Sequence, residues 1–83
     1  MNKARMEICV YPLGTDDPSI SKEVSAVFDV LDSCGLQYEM SVMGTIVEGS
    51  VDELLTLARK LHESVFSETV RRVVTMIRID DRR

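Results

Sequence analysis

Runs of β-prone residues recur four times along the chain of 83 residues. The first run, 6–11, and the last, 70–80, carry apolar residues at both alternating positions, which is typical of strands with two apolar faces. The run at 36–42 alternates strictly between apolar and polar residues and predicts a half-exposed strand at a sheet edge. The run at 44–49 begins and ends with glycine and follows closely, so these last two runs predict an antiparallel hairpin.

Two other segments have the apolar period of amphipathic helices. The first predicted helix ends near Ser33, before Gly35, which stands where a left-handed residue closes a helix. The second predicted helix runs from Ser50 to about Phe66, and Ser50 and Glu53 have the spacing of a capping box. The apolar stripes are Val24, Val27, Phe28 and Leu31 in the first helix, and Leu54, Leu57, Ala58, Leu61 and Val65 in the second.

The resulting order, β-α-β-β-α-β, predicts an α+β fold of the ferredoxin-like type in a single domain, 1–83. Right-handed connections would place the first and third strands in the middle of a four-stranded antiparallel sheet, with both helices on one face. The other face would then expose apolar side chains of the first and last strands, either some of Cys9, Tyr11, Val74 and Met76 or their counterparts at the other alternating positions. A bare apolar face on a small domain implies a partner, and we expect self-association through this open face.

Net charge and hydropathy argue against two classes of partner. The formal net charge is −4, and no basic stripe offsets the repulsion by phosphates, so nucleic acid is not an expected partner. The sequence has no run of about 18 apolar residues, so we expect no membrane span. The first five residues lead directly into a strand-like run without the apolar core of a signal peptide, which predicts a cytoplasmic protein.

Residue types that commonly carry chemistry are few and scattered. Cys9 and Cys34 have neither metal-binding nor redox spacing, so we expect two thiols that act as small apolar groups. His62, the only histidine, has no companion ligands and is expected to flank the apolar stripe of the second helix. Thr45 and Glu48 are the only polar side chains within the glycine-bracketed run. Glu48 is therefore either a structural hydrogen-bond acceptor or a contact to a ligand.

Several short motifs follow one another along nearly the whole chain. They are Pro12-Leu13-Gly14, Ser19-Ile20-Ser21, Ser33-Cys34-Gly35-Leu36-Gln37-Tyr38, Met43-Gly44-Thr45-Ile46-Val47-Glu48-Gly49, His62-Glu63, Arg72-Val73-Val74-Thr75 and Ile79-Asp80-Asp81-Arg82. In this order they resemble the small thiamine-binding protein family of ferredoxin-like domains. Ser67-Glu68-Thr69 departs from the family pattern, because a turn containing glycine is expected before the last strand.

The resemblance implies a non-enzymatic protein that binds thiamine, or its hydroxymethyl-aminopyrimidine part, as a ligand, without a metal or a further cofactor. It also implies homodimers or homotetramers that pair through their sheets. The residues that match the recurrent family pattern are the candidate ligand-binding residues. They are Leu13, Gly14, Ser21, Gly44, Thr45, Glu48 and Arg72.

The candidate residues suit the chemistry of an aminopyrimidine. The carboxylate of Glu48 can accept a hydrogen bond from the amino group, and the hydroxyl of Thr45 or Ser21 can serve a ring nitrogen. An acidic domain does not repel the positive thiazolium ring of thiamine. Strict alternation places Thr45 and Glu48 on opposite faces of a strand, so Thr45 would have to lie in the preceding turn if both contact one ligand.

Two other function classes stay open on the sequence alone. A regulatory ferredoxin-like module would bind an amino acid or another small metabolite at a subunit interface. A small enzyme on the same fold is less favoured, because the sequence pairs no histidine with a nucleophile and has no phosphate-binding loop. A panel of ligands together with turnover assays separates the three classes.

Overall fold

The computed structural model describes residues 3–13, 21–41 and 44–83, with the backbone alone for 21–24 and 41. Its elements are β1 (Ala4–Leu13), α1 (Ser21–Ser33), β2 (Gln37–Ser41), β3 (Gly44–Gly49), α2 (Val51–Ser64) and β4 (Arg72–Asp80). The predicted β-α-β-β-α-β order is therefore confirmed.

The four strands form one antiparallel sheet in the order β2-β3-β1-β4. β1 and β3 lie in the middle, as predicted, because β1 pairs with β3 on one side and with β4 on the other. β2 lies at one edge, which agrees with its strict alternation of apolar and polar residues. The sheet and its two helices confirm the α+β ferredoxin-like fold.

The core lies between the sheet and the helices. Every second residue of β1 faces the helices, and Met6 and Ile8 there are almost completely buried, with Val47 of β3 beside Met6. The apolar stripe of α2 packs against this layer as the sequence predicts. The buried residues of that stripe are Leu54, Leu57, Ala58 and Leu61, with Val65 just after the helix.

The capping box at the start of α2 is confirmed. The Ser50 hydroxyl oxygen accepts a hydrogen bond from the backbone N–H of Glu53 (3.2 Å), and the Ser50 N–H donates to Glu53 Oε1 (2.9 Å). The hydrogen bond from the Ser50 backbone is the largest cause that lowers the pKa of the Glu53 carboxyl, and the charge of Lys3 adds to it. This carboxylate therefore caps the start of α2.

The predicted stripe of α1 is wrong at Phe28, and the side chain of Val24 lies outside the described part of the chain. The side chain of Phe28 is 41% exposed, whereas Val27, Val30, Leu31 and Cys34 contact the core. Both sets of positions fit a helical period of 3.6 residues, so the sequence does not say which edge of the stripe is buried. Packing of α1 against α2 and the sheet decides it. Gly35 closes the helix with a φ of 72°, as expected.

The turn before β4 shows why no glycine is needed there. The Ser67 hydroxyl oxygen accepts hydrogen bonds from the N–H groups of Thr69 (3.2 Å) and Val70 (3.1 Å), and the Ser67 N–H donates to the carbonyl of Val70 (3.1 Å). None of the non-glycine residues in the described ranges has a positive φ. A serine turn thus replaces the glycine turn of the family pattern and anchors Val70 in the core.

Beyond the end of its pairing with β3, β1 continues alongside β4. The register of β1 with β3 runs from Ala4 to Ile8, and that of β1 with β4 continues to the pair of Leu13 and Arg72.

Within the described residues, no helix is long and apolar enough to cross a membrane.

Candidate functional site

The sheet has one face covered by the helices and one that we call the open face. The open face carries the odd-numbered residues of β1 from Arg5 to Leu13, together with their neighbours in β3 and β4. Towards Leu13 it is apolar, and four large side chains are exposed in what we call the apolar arm. These are Tyr11, Leu13, Val74 and Met76. Towards the start of β1 the open face bears ionised groups, and we call this the charged end.

Glu48 lies at the charged end. Its Cα partners are Arg5 in β1 and Gln37 in β2, so one carboxylate is flanked by a guanidinium and an amide. These residues and Ile46 line a depression of about 280 Å³ that Glu39 also borders. Because Glu48 is exposed and no ion pair within 4.0 Å is found for it in the described ranges, its oxygens are available to a ligand. The structural alternative for Glu48, a buried acceptor, is not what the structure shows.

A second depression, of about 240 Å³, adjoins the first and shares Arg5 and Glu48 with it. Its other charged lining groups are Lys3, Asp80 and Arg82. Asp80 is the Cα partner of Arg5 on the side away from Glu48, so Arg5 lies between two carboxylate-bearing strands. The charged end is therefore a continuous surface on both sides of Arg5.

Thr45 lies on the opposite face from Glu48. It is the Cα partner of Ile8, its side chain is 6% exposed, and it faces the helices. Thr45 is within β3 and not in a preceding turn. The two side chains therefore do not line one pocket of a single chain, and the structure removes Thr45 from the surface that Glu48 occupies.

Two other candidate residues, Leu13 and Arg72, are neighbours in the structure. They are Cα partners between β1 and β4, at the end of the apolar arm farthest from Glu48. Arg5, the neighbour of Glu48, and Leu13 are separated by eight residues of β1. At about 3.3 Å per residue, this is a separation of roughly 26 Å. One small ligand cannot contact both Glu48 and Arg72 of the same chain, so Glu48 and the pair of Leu13 and Arg72 belong to two separate candidate surfaces.

The close packing of β3 against β1 explains why a glycine stands at position 44. Its φ is 134°, and a Cβ at this position would meet the sulfur of Cys9 and lie 2.7 Å from the carbonyl oxygen of Ile8. β3 can approach β1 this closely only with glycine there. Gly14 lies outside the described residues, and Ser21 is described by its backbone alone, as the first residue of α1.

Two tyrosines near the sheet have side-chain partners. The Tyr38 hydroxyl donates to Asp32 Oδ1 (2.8 Å), a bond that ties β2 to α1 and raises the pKa of Tyr38. The pKa of Tyr11 is raised first by its side-chain hydrogen bond with Cys9. Tyr11 thus remains a neutral phenol on the apolar arm.

His62 and the cysteines behave as expected from the sequence. His62 Nδ1 lies 2.6 Å from the Thr75 hydroxyl, and its ring packs edge-on against Phe66 with centroids 5.3 Å apart. His62 is therefore a half-buried polar residue beside the α2 stripe. Cys9 and Cys34 are both thiols. No group of three or more His, Cys, Asp or Glu side chains suited to a metal ion occurs in the part of the chain that the structure describes.

Sequence reasoning missed Arg5, Gln37 and Arg82 as neighbours of the candidate carboxylate. Their proximity depends on the register between strands that are distant in sequence, and alternation alone does not specify that register.

Two further depressions, of about 310 Å³ and 320 Å³, lie beside the helices, and none of the candidate residues lines them.

The fold and the open face together define a small ferredoxin-like domain with an exposed sheet surface of polar and apolar side chains. A model of the family described as thiamine-binding protein matches residues 6–83. The chain belongs to this family, and the resemblance inferred from the motifs is confirmed.

Relatives are similar over most of their length. A UPF0045 protein of Methanothermobacter thermautotrophicus is 41% identical over 78 residues, which cover 93% of this chain and 79% of that protein. UPF0045 protein YqgV of Bacillus subtilis is 35% identical over 81 residues, covering 93% and 78%. The solved structure of protein MJ1052 from Methanocaldococcus jannaschii superposes with a TM-score of 0.86 at 35% identity, over 100% of this chain and 84% of that one.

Proposed function

We propose that this protein is a non-enzymatic binder of thiamine or of its hydroxymethyl-aminopyrimidine part, and that the ligand docks at the charged end of the open face. The observation that carries the proposal is the match to the thiamine-binding family over residues 6–83, combined with an exposed carboxylate, Glu48, in a depression. A depression of about 280 Å³ lies just below the usual range of roughly 300–1,000 Å³ for small-molecule sites.

The groups in this depression match an aminopyrimidine in chemistry. Glu48 accepts from the exocyclic amino group, and the amide of Gln37 offers both a donor and an acceptor to the ring nitrogens. The side chain of Ile46 supplies apolar contact to the ring. Glu39 and Glu48 leave an excess of negative charge that attracts the thiazolium ring of whole thiamine.

Calorimetric titration with a ligand panel tests the proposal. The panel contains thiamine, hydroxymethyl-aminopyrimidine and a set of amino acids, and each ligand is also incubated with the protein and assayed for turnover. We expect heat of binding with thiamine or the pyrimidine, none with amino acids, and no product. Binding of an amino acid alone would favour the regulatory module, and turnover of any ligand would favour an enzyme.

We also propose that two or more copies pair through the apolar arm. Met76 is 62% exposed there, and Tyr11, Leu13 and Val74 are exposed on the same face towards the end of β1. A second copy of the same arm is the simplest cover for such a patch, because a two-fold axis lets each arm bury the other. Both cysteines are thiols, which suits the reducing cytoplasm where we place the protein.

Light scattering at micromolar concentration should give at least twice the chain mass of 9.4 kDa. Met76→Glu should convert the protein to monomer, because it places a charge in the apolar interface. Met40→Glu is the matched control, since Met40 is also exposed but lies in β2 beside Thr45, on the other side of the sheet. A monomeric mass for the unmutated protein would refute the assembly.

A further inference from the structure

The charged end changes sign across its two adjoining depressions. In the first, the ionised lining groups are the carboxylates of Glu39 and Glu48 and the guanidinium of Arg5, which leaves an excess of negative charge. In the second, three cations face the carboxylates of Glu48 and Asp80, which leaves an excess of positive charge. A surface that is acidic on one side and basic on the other is complementary to a ligand with a hydrogen-bond donor at one end and an anion at the other.

The cations of the second depression are Lys3, Arg5 and Arg82. Within the described ranges, none of them has a carboxylate oxygen within 4.0 Å, whereas Arg59, Arg78 and Arg83 each form an ion pair. Lys3 also acts on Glu53, whose pKa its charge helps to lower, so Arg5 and Arg82 are the cations of this depression that remain for an anion. The guanidinium of an arginine has a planar set of donors that matches two oxygens of a phosphate.

We propose that the second depression holds the phosphate of a phosphorylated form of the ligand, while the first holds the aminopyrimidine. This inference rests on the proposed function and names the substrate class of the same site: phosphate esters of thiamine or of its pyrimidine. Arg5 and Arg82 donate to the phosphate oxygens, and Glu48, which both depressions share, accepts from the amino group.

The size of the surface agrees with a ligand longer than one ring. Each depression is at or below the lower end of the range of roughly 300–1,000 Å³ for small-molecule sites, whereas the two adjoining ones together fall within it. The net charge of −4 disfavours a free anion at long range. Binding of the attached pyrimidine in the first depression must therefore hold the phosphate beside the arginines.

The test compares three ligands by calorimetric titration of the full chain: thiamine, thiamine monophosphate and inorganic phosphate. We expect thiamine monophosphate to bind about three- to tenfold more tightly than thiamine, as for a few exposed charge pairs, and this preference should shrink at high salt. Inorganic phosphate alone should bind much more weakly than either. Arg82→Ala should remove most of the preference and leave the affinity for thiamine unchanged, and Arg82→Lys should restore part of it.

Arg71→Ala is the matched control, because Arg71 is exposed just before β4 and does not line the depression. Equal affinity for thiamine and thiamine monophosphate would overturn this inference and leave the proposed function standing. The inference also fails if Arg82→Ala weakens both ligands alike. Inorganic phosphate that binds as tightly as the ester would show a site for an adventitious ion only. Absence of binding by both thiamine compounds would refute the proposed function itself.

Discussion

Leu57→Ala is expected to lower the free energy of unfolding by about 2–5 kcal/mol. Leu57 is 3% exposed in the middle of the α2 stripe and packs in the cluster that also contains Met6 and Val47. Truncation of its isobutyl side chain to a methyl group leaves a cavity between helix and sheet, because the surrounding structure relaxes only partially to fill it. Chemical denaturation followed by circular dichroism measures the change.

Leu55→Ala is the matched control in the same helix. Leu55 is 48% exposed, so its truncation removes little buried surface and should cost less than about 1 kcal/mol. Phe28→Ala belongs with this control rather than with Leu57, because Phe28 lies at the exposed edge of the α1 stripe. Equal effects of Leu57→Ala and Leu55→Ala would mean that α2 packs with a different face towards the sheet.

Glu48→Gln is expected to weaken the binding of thiamine or its pyrimidine roughly 10–100-fold. The substitution replaces an ionised acceptor with a neutral amide of the same shape, and a hydrogen bond to a charged group is worth about 1.5–3 kcal/mol. Since Glu48 is exposed and lies outside the core, the melting temperature should change little. Calorimetric titration and a melting curve on the same preparation give both quantities.

Glu68→Gln provides the control for the loss of one negative charge. Glu68 is exposed in the turn before β4 and does not line either depression of the charged end. It should leave the affinity unchanged. If Glu48→Gln binds thiamine as tightly as the unmutated protein does, the ligand lies elsewhere. The pair of Leu13 and Arg72 lies about 26 Å from Arg5 along β1 and would then be the next surface to mutate.

Local patterns were sufficient to predict most of the fold. The strict alternation in β2, the α2 stripe and the capping box of Ser50 and Glu53 each depend on residues close in sequence, and all three are confirmed. The prediction failed at Phe28, since two overlapping stripes fit the same helical period. The serine turn at Ser67 was recognised only as a departure from the family, because its hydrogen bonds depend on the loop conformation.

The candidate site was less predictable than the fold. Family motifs point to Glu48 as a candidate, and alternation alone predicts that Thr45 lies on the other face, as the structure shows. The motifs also grouped Glu48 with Arg72, although the length of β1 keeps them far apart in one chain. A recurrent residue can serve the fold, as Gly44 does where β3 approaches β1.

The sequence by itself determined the order of the elements, the buried stripe of α2 and the family, because these follow from periodicity and from short motifs. Only the tertiary structure decided which residues surround Glu48. The register of β1 with β3 and β4 places Arg5 beside Glu48 and Asp80, and no local pattern specifies that register. The change of sign across the charged end therefore appears only after the strands have paired.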